Sequence, residues 1–330
     1  MKMLVYSCGD TEEPIFRRLS GSYGAELTLR KERPLLENAR MAEGMEVVNI
    51  LSGNFITPEM LDIYKDCGVK MVVSRTIGVE HVDVAYANSI GIAVGNATYS
   101  PSSVADYAIM LMLMVLRHIK PMLLRYAGQN YTTRGLLGRE LPNMTVGIIG
   151  MGRIGETTAR HLKDFGCRIL AYNRTKRENM SDVAELVDLE TLYRESDIVS
   201  LHIASTPETF HFIDAAAIAK MKDGAVLINT ARGPLVDSAA LIDALETGKL
   251  SGAGLDVFDG DRLIYYRDFK NQLLPQREMA ILNAMPNVLM LPHMAYYTDQ
   301  AVEDMVRNSL DGACRYLAGE DDPWLIGAKI

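Results

Sequence analysis

Val146-Gly147-Ile148-Ile149-Gly150-Met151-Gly152-Arg153-Ile154-Gly155 decides how this chain is read. An apolar, β-branched run enters a GxGxxG pattern and leaves into a helix-compatible segment over 156–165. Gly150 permits a tight turn, Gly152 lets the backbone approach a pyrophosphate, and Gly155 lets the helix pack closely on the strand. The helix start, opened by Arg153 and Ile154, would face the anion. A second strand-like run, Arg168–Tyr172, completes the context in which the pattern signals a dinucleotide rather than a structural turn.

The residues past Tyr172 are Asn173-Arg174-Thr175-Lys176-Arg177. An acid here would bind a ribose 2′-hydroxyl and repel a 2′-phosphate. None is present, and three cations stand in its place. Asn173 and Thr175 can donate neutral hydrogen bonds, and Arg174 can grip a phosphate in a bidentate fork. NADPH is therefore the preferred cofactor. NADH stays possible if the stretch is only an exposed basic loop.

Outward from this loop, strand-like runs alternate with amphipathic segments. One series comprises 3–6, 26–29, 47–51, 71–74 and 92–94, with a helix opening at Thr57-Pro58. A second comprises 146–149, 168–172, 198–202, 225–229, 253–256 and 288–291. Such alternation predicts α/β architecture with two doubly wound parallel sheets. Ser102–Leu116 is apolar nearly all round, so it needs partners on every side, as a core helix, a subunit interface or both. The last helix, from Asp299 to about Leu317, could return to the first unit. The expected domains are 1–101 with 299–330, and 102–298.

Composition agrees with a globular chain. The 330 residues are 48 % hydrophobic and 23 % charged, enough for two domains at ~100–200 residues each. The balance of 34 basic and 42 acidic residues gives −8, which argues against nucleic acid or an anionic membrane as main partner. Cys8, Cys67, Cys167 and Cys314 show no paired spacing, so no metal site or disulfide framework is expected. The start of the chain lacks a signal-type apolar segment, and the longest apolar stretch is interrupted by Asp106. A cytoplasmic protein is expected.

Three further segments place polar residues after apolar runs: Asn229-Thr230-Ala231-Arg232-Gly233-Pro234-Leu235-Val236-Asp237, Gly254-Leu255-Asp256-Val257-Phe258-Asp259-Gly260-Asp261, and Pro292-His293-Met294-Ala295-Tyr296-Tyr297-Thr298. Ligands of open α/β sheets bind at such strand ends. Reducing a 2-oxo acid needs a cation for the carboxylate and an acid titrating near neutrality for the oxygen. It also needs a carboxylate to orient and stabilise the protonated acid. Arg232, His293 and Asp261 supply that set, with Asp259 a competing candidate for the carboxylate.

These stretches make the chain resemble the D-isomer-specific 2-hydroxyacid dehydrogenases along nearly its whole length. Within that family it is most similar to the D-lactate dehydrogenases, especially the vancomycin-resistance type. That closer likeness is carried by Ser74-Arg75-Thr76-Ile77-Gly78, Tyr99-Ser100-Pro101, Val104–Ala108, Met110–Met114 and the segment from Tyr265-Tyr266 to Met285-Pro286-Asn287. The resemblance implies a flavodoxin-like substrate domain and a Rossmann domain with an active-site cleft between them. It implies reduction of a small 2-oxo acid, pyruvate foremost, to the D-2-hydroxy acid. Arg232 would bind substrate, His293 would give the proton, and Asp261 would occupy the family's glutamate position. Backbone amides of Ile77, Gly78 and Val79 would cradle the carboxylate, with Tyr296 and Tyr99 lining the side-chain pocket. Asp256 would contact the nicotinamide carboxamide, and Thr206 and Ala231 would lie near the nicotinamide ribose. The helix after Pro101 would build a homodimer. Two features depart from the family: Asp261 is one methylene shorter than glutamate, and Leu201-His202-Ile203-Ala204 lacks the usual proline, with His202 read as structural. The alternatives are a dehydrogenase for a bulkier branched or aromatic 2-oxo acid, and a dinucleotide-sensing binding protein of the same fold.

Overall fold

The computed structural model describes residues 1–175, 182–261 and 264–327. The chain divides into two compact units, Met1–Ser100 with Tyr297–Ile330, and Pro101–Tyr296.

The first unit begins with β1 (Lys2–Val5), α1 (Glu13–Ser20), β2 (Glu26–Leu29), β3 (Val47–Ile50), α2 (Pro58–Asp66), β4 (Met71–Ser74), α3 (Val84–Ser89) and β5 (Ala93–Gly95). Thr57 caps α2 by accepting the Met60 N–H, and Pro58 follows at the position where a missing N–H costs nothing. Every residue of β3 and β4 is buried, as expected for parallel strands covered on both faces.

The second unit runs α4 (Ser102–Leu116), α5 (Ile119–Ala127), β6 (Thr145–Ile149), α6 (Arg153–Lys163), β7 (Arg168–Tyr172), β8 (Glu185–Leu186), α7 (Leu189–Glu195), β9 (Ile198–Leu201), α8 (Ala215–Lys220), β10 (Ala225–Asn229), α9 (Ser238–Glu246), β11 (Leu250–Leu255), α10 (Arg277–Ala284) and β12 (Val288–Met290). The chain then returns to the first unit with α11 (Asp299–Ala318) and β13 (Leu325–Ile326).

The first sheet has the order β13-β5-β4-β3-β1-β2, parallel except for β13 against β5. Without β13 this is the flavodoxin-like order. Helix α11 covers one face, burying Val306, Leu310 and Ala313 against Met3, Val47, Met71 and Val73. Asn49 on β3 donates to Ser309 Oγ on α11 at 3.0 Å inside that contact. Arg75, wholly buried past β4, pairs with Glu12 at 2.7 Å and also donates to Asn49 Oδ1 and the carbonyls of Tyr6 and Ser7. These bonds satisfy a charge whose isolated burial would be costly.

The second sheet has the order β12-β11-β10-β9-β6-β7-β8, all parallel. This is the Rossmann order extended by one strand, and it reverses between β6 and β9, where such sheets bind ligands. Helix α4 belongs to the core of this unit. It buries nine residues, including Leu111 and Met112, among side chains of β6, β10 and α6. Helix α5 differs: it buries none, and exposes Met122, Leu123, Leu124 and Tyr126.

Candidate active site

The glycine loop lies at the order reversal. Gly150 takes φ +99, and a Cβ there would sit 2.6 Å from the carbonyl oxygen of His202 at the end of β9. A Cβ at Gly155 would overlap the Gly150 carbonyl oxygen, so α6 approaches the strand too closely for any side chain. Gly152, the N-cap of the eleven-residue α6, has nothing within 4 Å of where its Cβ would be. The loop is thus closed behind by protein and open on the side where the helix presents its first amides, with Arg153 and Ile154 in its first turn. That geometry fits a pyrophosphate.

Asn173 has a more particular role than the sequence reading gave it. Its Oδ1 accepts the Met151 N–H at 3.0 Å, and its Nδ2 donates to the Thr175 carbonyl at 2.7 Å. The side chain ties the glycine loop to the turn after β7, so one of the amide hydrogens expected for a ribose is already committed. Arg174 and Thr175 are exposed. Lys176 and Arg177 lie outside the described residues. His202 donates its backbone N–H to Ile149, and its ring is 2.9 Å from Ser200 Oγ. Burial pushes this imidazole down to about 4, so it stands neutral at the back of the loop. Thr206 caps a short turn, with its N–H on Thr209 Oγ1 at 2.8 Å.

After β10, the buried Asn229 shapes the next loop. Its Oδ1 accepts the Ala231 N–H at 3.0 Å and its Nδ2 donates to the Arg232 carbonyl at 2.9 Å. Arg232 is extended, with Nη1 donating to the Ala231 carbonyl at 2.8 Å. A Cβ at Gly233 would overlap the Phe258 carbonyl oxygen. Glycine therefore lets the Arg232 loop press against the turn that carries Asp259 and Asp261. Next to Ala231, the buried Thr230 Oγ1 has no hydrogen-bond partner among the described residues. It is a buried, unpartnered polar atom on the loop where a nicotinamide ribose is expected.

The two candidate carboxylates diverge. Asp259 Oδ2 lies 3.3 Å from His211 Nε2, and Asp237 Oδ2 lies 3.8 Å from the other ring nitrogen. His211, at φ +50 and stacked on Phe210, also donates its backbone N–H to Pro234. It clasps the Arg232 loop to the following turn. Asp261 instead folds back on its own turn: its N–H reaches the Phe258 carbonyl, and its Oδ2 is 3.4 Å from the Phe258 N–H.

His293 follows β12 in the left-handed region, at φ +54. Asp256 holds it there. The fully buried carboxylate accepts the N–H groups of Met294 and Ala295, both at 2.9 Å, and its carbonyl accepts the His293 N–H at 2.9 Å. Tyr107 of α4 adds a hydrogen bond to the carboxylate, and burial raises the Asp256 pKa against the effect of these donors. The Tyr266 hydroxyl donates to the His293 carbonyl at 3.0 Å and is hydrogen-bonded to Tyr296. The Tyr266 and Tyr296 rings lie 6.0 and 6.2 Å from the imidazole.

Sequence reasoning singled out none of Asn229, Tyr107, His211 and Tyr266. The signal that could have found Tyr107 and Asn229 is the burial demanded of Asp256 and of a strand-end asparagine, each needing partners. His211 carried no sequence signal beyond residue type, and Tyr266 entered only within the segment that carries the closer family likeness. In the first unit, Ile77, Gly78 and Val79 are half-buried just past β4. Tyr99 lies between anchored neighbours: Asn308 donates to the Thr98 carbonyl at 2.6 Å, and the Ser100 N–H reaches Asp304 at 2.9 Å.

Comparison with known proteins gives the family and the fold. The family described as D-isomer specific 2-hydroxyacid dehydrogenase, NAD binding domain matches residues 109–295. A D-specific alpha-keto acid dehydrogenase of Enterococcus faecalis is 39% identical over 310 residues, 94% of this chain and 95% of that protein. An aromatic 2-oxoacid reductase of Clostridium sporogenes is 36% identical over 312 residues, 94% of each chain. The solved structure of a D-lactate dehydrogenase from Treponema pallidum superposes with a TM-score of 0.91 at 30% identity, covering 99% of this chain and 100% of that one. The chain belongs to the D-isomer-specific 2-hydroxyacid dehydrogenases, NAD-binding oxidoreductases of two parallel-sheet α/β domains.

Proposed function

We propose that this protein reduces a small 2-oxo acid, pyruvate foremost, to the D-2-hydroxy acid, with His293 as proton donor. The observation that carries the reading is the setting of His293. Its main chain is fixed by Asp256, and its ring is flanked by Tyr266 and Tyr296. Two aromatic rings beside the proton donor favour a methyl over a large substituent.

The nicotinamide cofactor, when bound, supplies the hydride that adds to the carbonyl carbon. Arg232 binds the substrate carboxylate and polarises the carbonyl oxygen. The amides of Ile77, Gly78 and Val79 receive the carboxylate, and Tyr99 and Tyr296 line the side-chain pocket. His293 passes its proton to the carbonyl oxygen and is left neutral. Asp261 orients the imidazole and favours its charged form. Gly150, Gly152, Arg153, Ile154 and Gly155 hold the pyrophosphate, with Thr206, Ala231 and Asp256 toward the nicotinamide end.

NADPH is the preferred form in this reading, because no acid follows β7 and Arg174 is exposed there. Helix α5 supplies the face of a homodimer, since its apolar side chains are exposed while those of α4 are mostly covered. The four free cysteines suit a reducing cytoplasm. No single helix among the described residues is long and apolar enough to cross a membrane.

Initial rates with NADPH and NADH, on pyruvate and phenylpyruvate side by side, test the assignment. Fast NADPH turnover on pyruvate, with D-lactate as product, is expected. Preference for phenylpyruvate favours the bulkier-substrate alternative, to which the similarity with an aromatic 2-oxoacid reductase lends weight. Preference for NADH removes the phosphate role of Arg174. No turnover on either acid favours a dinucleotide-sensing protein.

A further inference from the structure

Three successive carbonyls of the segment after β4 are held, two from outside it and one from within. The Thr76 carbonyl accepts the Ala97 N–H at 3.0 Å. The Ile77 carbonyl accepts Asn96 Nδ2 at 2.7 Å, and the Gly78 carbonyl accepts the Thr76 hydroxyl at 2.6 Å. In a planar trans peptide, the following N–H points opposite to the carbonyl. Fixing these carbonyls therefore fixes the directions of the Ile77, Gly78 and Val79 N–H groups. Those three amides donate to no acceptor among the described residues. Successive free N–H groups on half-buried backbone form a concavity suited to an anion.

The Thr76 hydroxyl is itself part of a chain whose direction is determined. Its hydrogen is spent on Gly78, so it accepts from Ser74 Oγ at 2.6 Å. Ser74 then accepts from His81 Nε2 at 2.9 Å, which requires that nitrogen to carry a hydrogen. Ser74 and His81 are both buried. Asn96 is anchored from the other side, its N–H on the Trp324 carbonyl at 3.0 Å.

We propose that Asn96 and Thr76 are positioning residues whose side chains aim the amides of Gly78 and Val79 at the substrate carboxylate, beside the Ile77 amide set by the Ala97 N–H. Ser74 and His81 orient the Thr76 hydroxyl. The proposal rests on the 2-oxo acid reading above and adds the side chains that build its carboxylate receptor.

Thr76→Val removes the hydroxyl at nearly constant volume, and Thr76→Ser keeps it. In Thr76→Val the KM for pyruvate should rise about tenfold or more, the worth of one amide bond to a charged oxygen. Its kcat at saturation should stay within about threefold, because the reacting atoms are untouched. Affinity for the reduced nicotinamide cofactor should not change. Titration of oxamate onto the complex with that cofactor should weaken in the same proportion. Thr76→Ser should restore both quantities, and Asn96→Ala should reproduce the KM effect through the neighbouring peptide. Wild-type pyruvate KM and oxamate affinity in Thr76→Val overturn the proposal. So does a joint fall in melting temperature and cofactor affinity, which is the signature of a merely structural hydroxyl. A wild type that binds oxamate in a Thr76-dependent way yet turns over no 2-oxo acid supports the receptor and refutes the assigned reaction.

Discussion

Replacing Asp256 by asparagine changes one atom in the element that seats His293. The native carboxylate accepts backbone N–H groups of Met294 and Ala295 at 2.9 Å each, and a hydrogen bond from Tyr107. An asparagine offers a single carbonyl oxygen, so its NH2 must face one of these donors. One charge-assisted hydrogen bond, worth about 1.5–3 kcal/mol, is lost, and a buried N–H is left unsatisfied at about 1–3 kcal/mol. Against this stands a relief. Burial raises the Asp256 pKa, so the folded state favours the neutral acid, and the native protein pays for its charge at neutral pH. We expect a net loss of about 2–3 kcal/mol, a fall in Tm of roughly 4–12 °C for a unit of this size. Because the same bonds set the left-handed turn at His293, kcat/KM should fall about 100-fold through misplacement of the proton donor. Calorimetry and steady-state kinetics on 2-oxo acids read both effects. An asparagine variant with native melting and native kcat/KM would refute the claim that Asp256 seats the histidine.

Other expected outcomes follow from single contacts. Gly155→Ala must displace the Gly150 carbonyl, so cofactor affinity measured by fluorescence titration should fall at least about tenfold, with about 1–3 kcal/mol lost in denaturant melts. Asp261→Glu should keep activity and move the alkaline limb of the kcat/KM profile to higher pH, since a longer carboxylate holds the imidazolium more firmly; collapse of activity would remove Asp261 from its role. His202 is held down to about 4 from 6.5, so its stabilising contribution is complete above 6.5 and is lost as pH falls toward 4. Denaturant melts should show this as about 2 kcal/mol by roughly pH 5, absent in His202→Gln.

The fold was legible where burial imposes a pattern. Parallel strands such as β3, β4 and β10 are buried at every residue, and each reads as an apolar run. β8 and β13 were not legible. Each is a two-residue edge strand, with Glu185 and Leu186 exposed and Leu325 and Ile326 only half-buried, so neither leaves a periodic signature. The glycine loop was readable because its close approaches exclude every other residue. The fates of Asp259 and Asn173 were not readable, since either side chain could turn several ways. A histidine with φ +50 on one side and the loop of Met151 on the other decided them. Burial of α4 follows from its apolar run, whereas the exposure of Met122, Leu123 and Leu124 on α5, which also carries Lys120 and Arg125, depended on tertiary packing.

The return of α11 to the first sheet has a consequence for biosynthesis. The Pro101–Tyr296 unit is continuous, whereas the first unit needs segments from both ends of the chain. During translation at about 5–20 residues per second, the first hundred residues emerge tens of seconds before α11. Through that interval the face formed by Met3, Val47, Met71 and Val73 lacks Val306, Leu310 and Ala313. The nascent sheet is exposed to self-association until α11 emerges and docks. The later-made unit can reach its native state first.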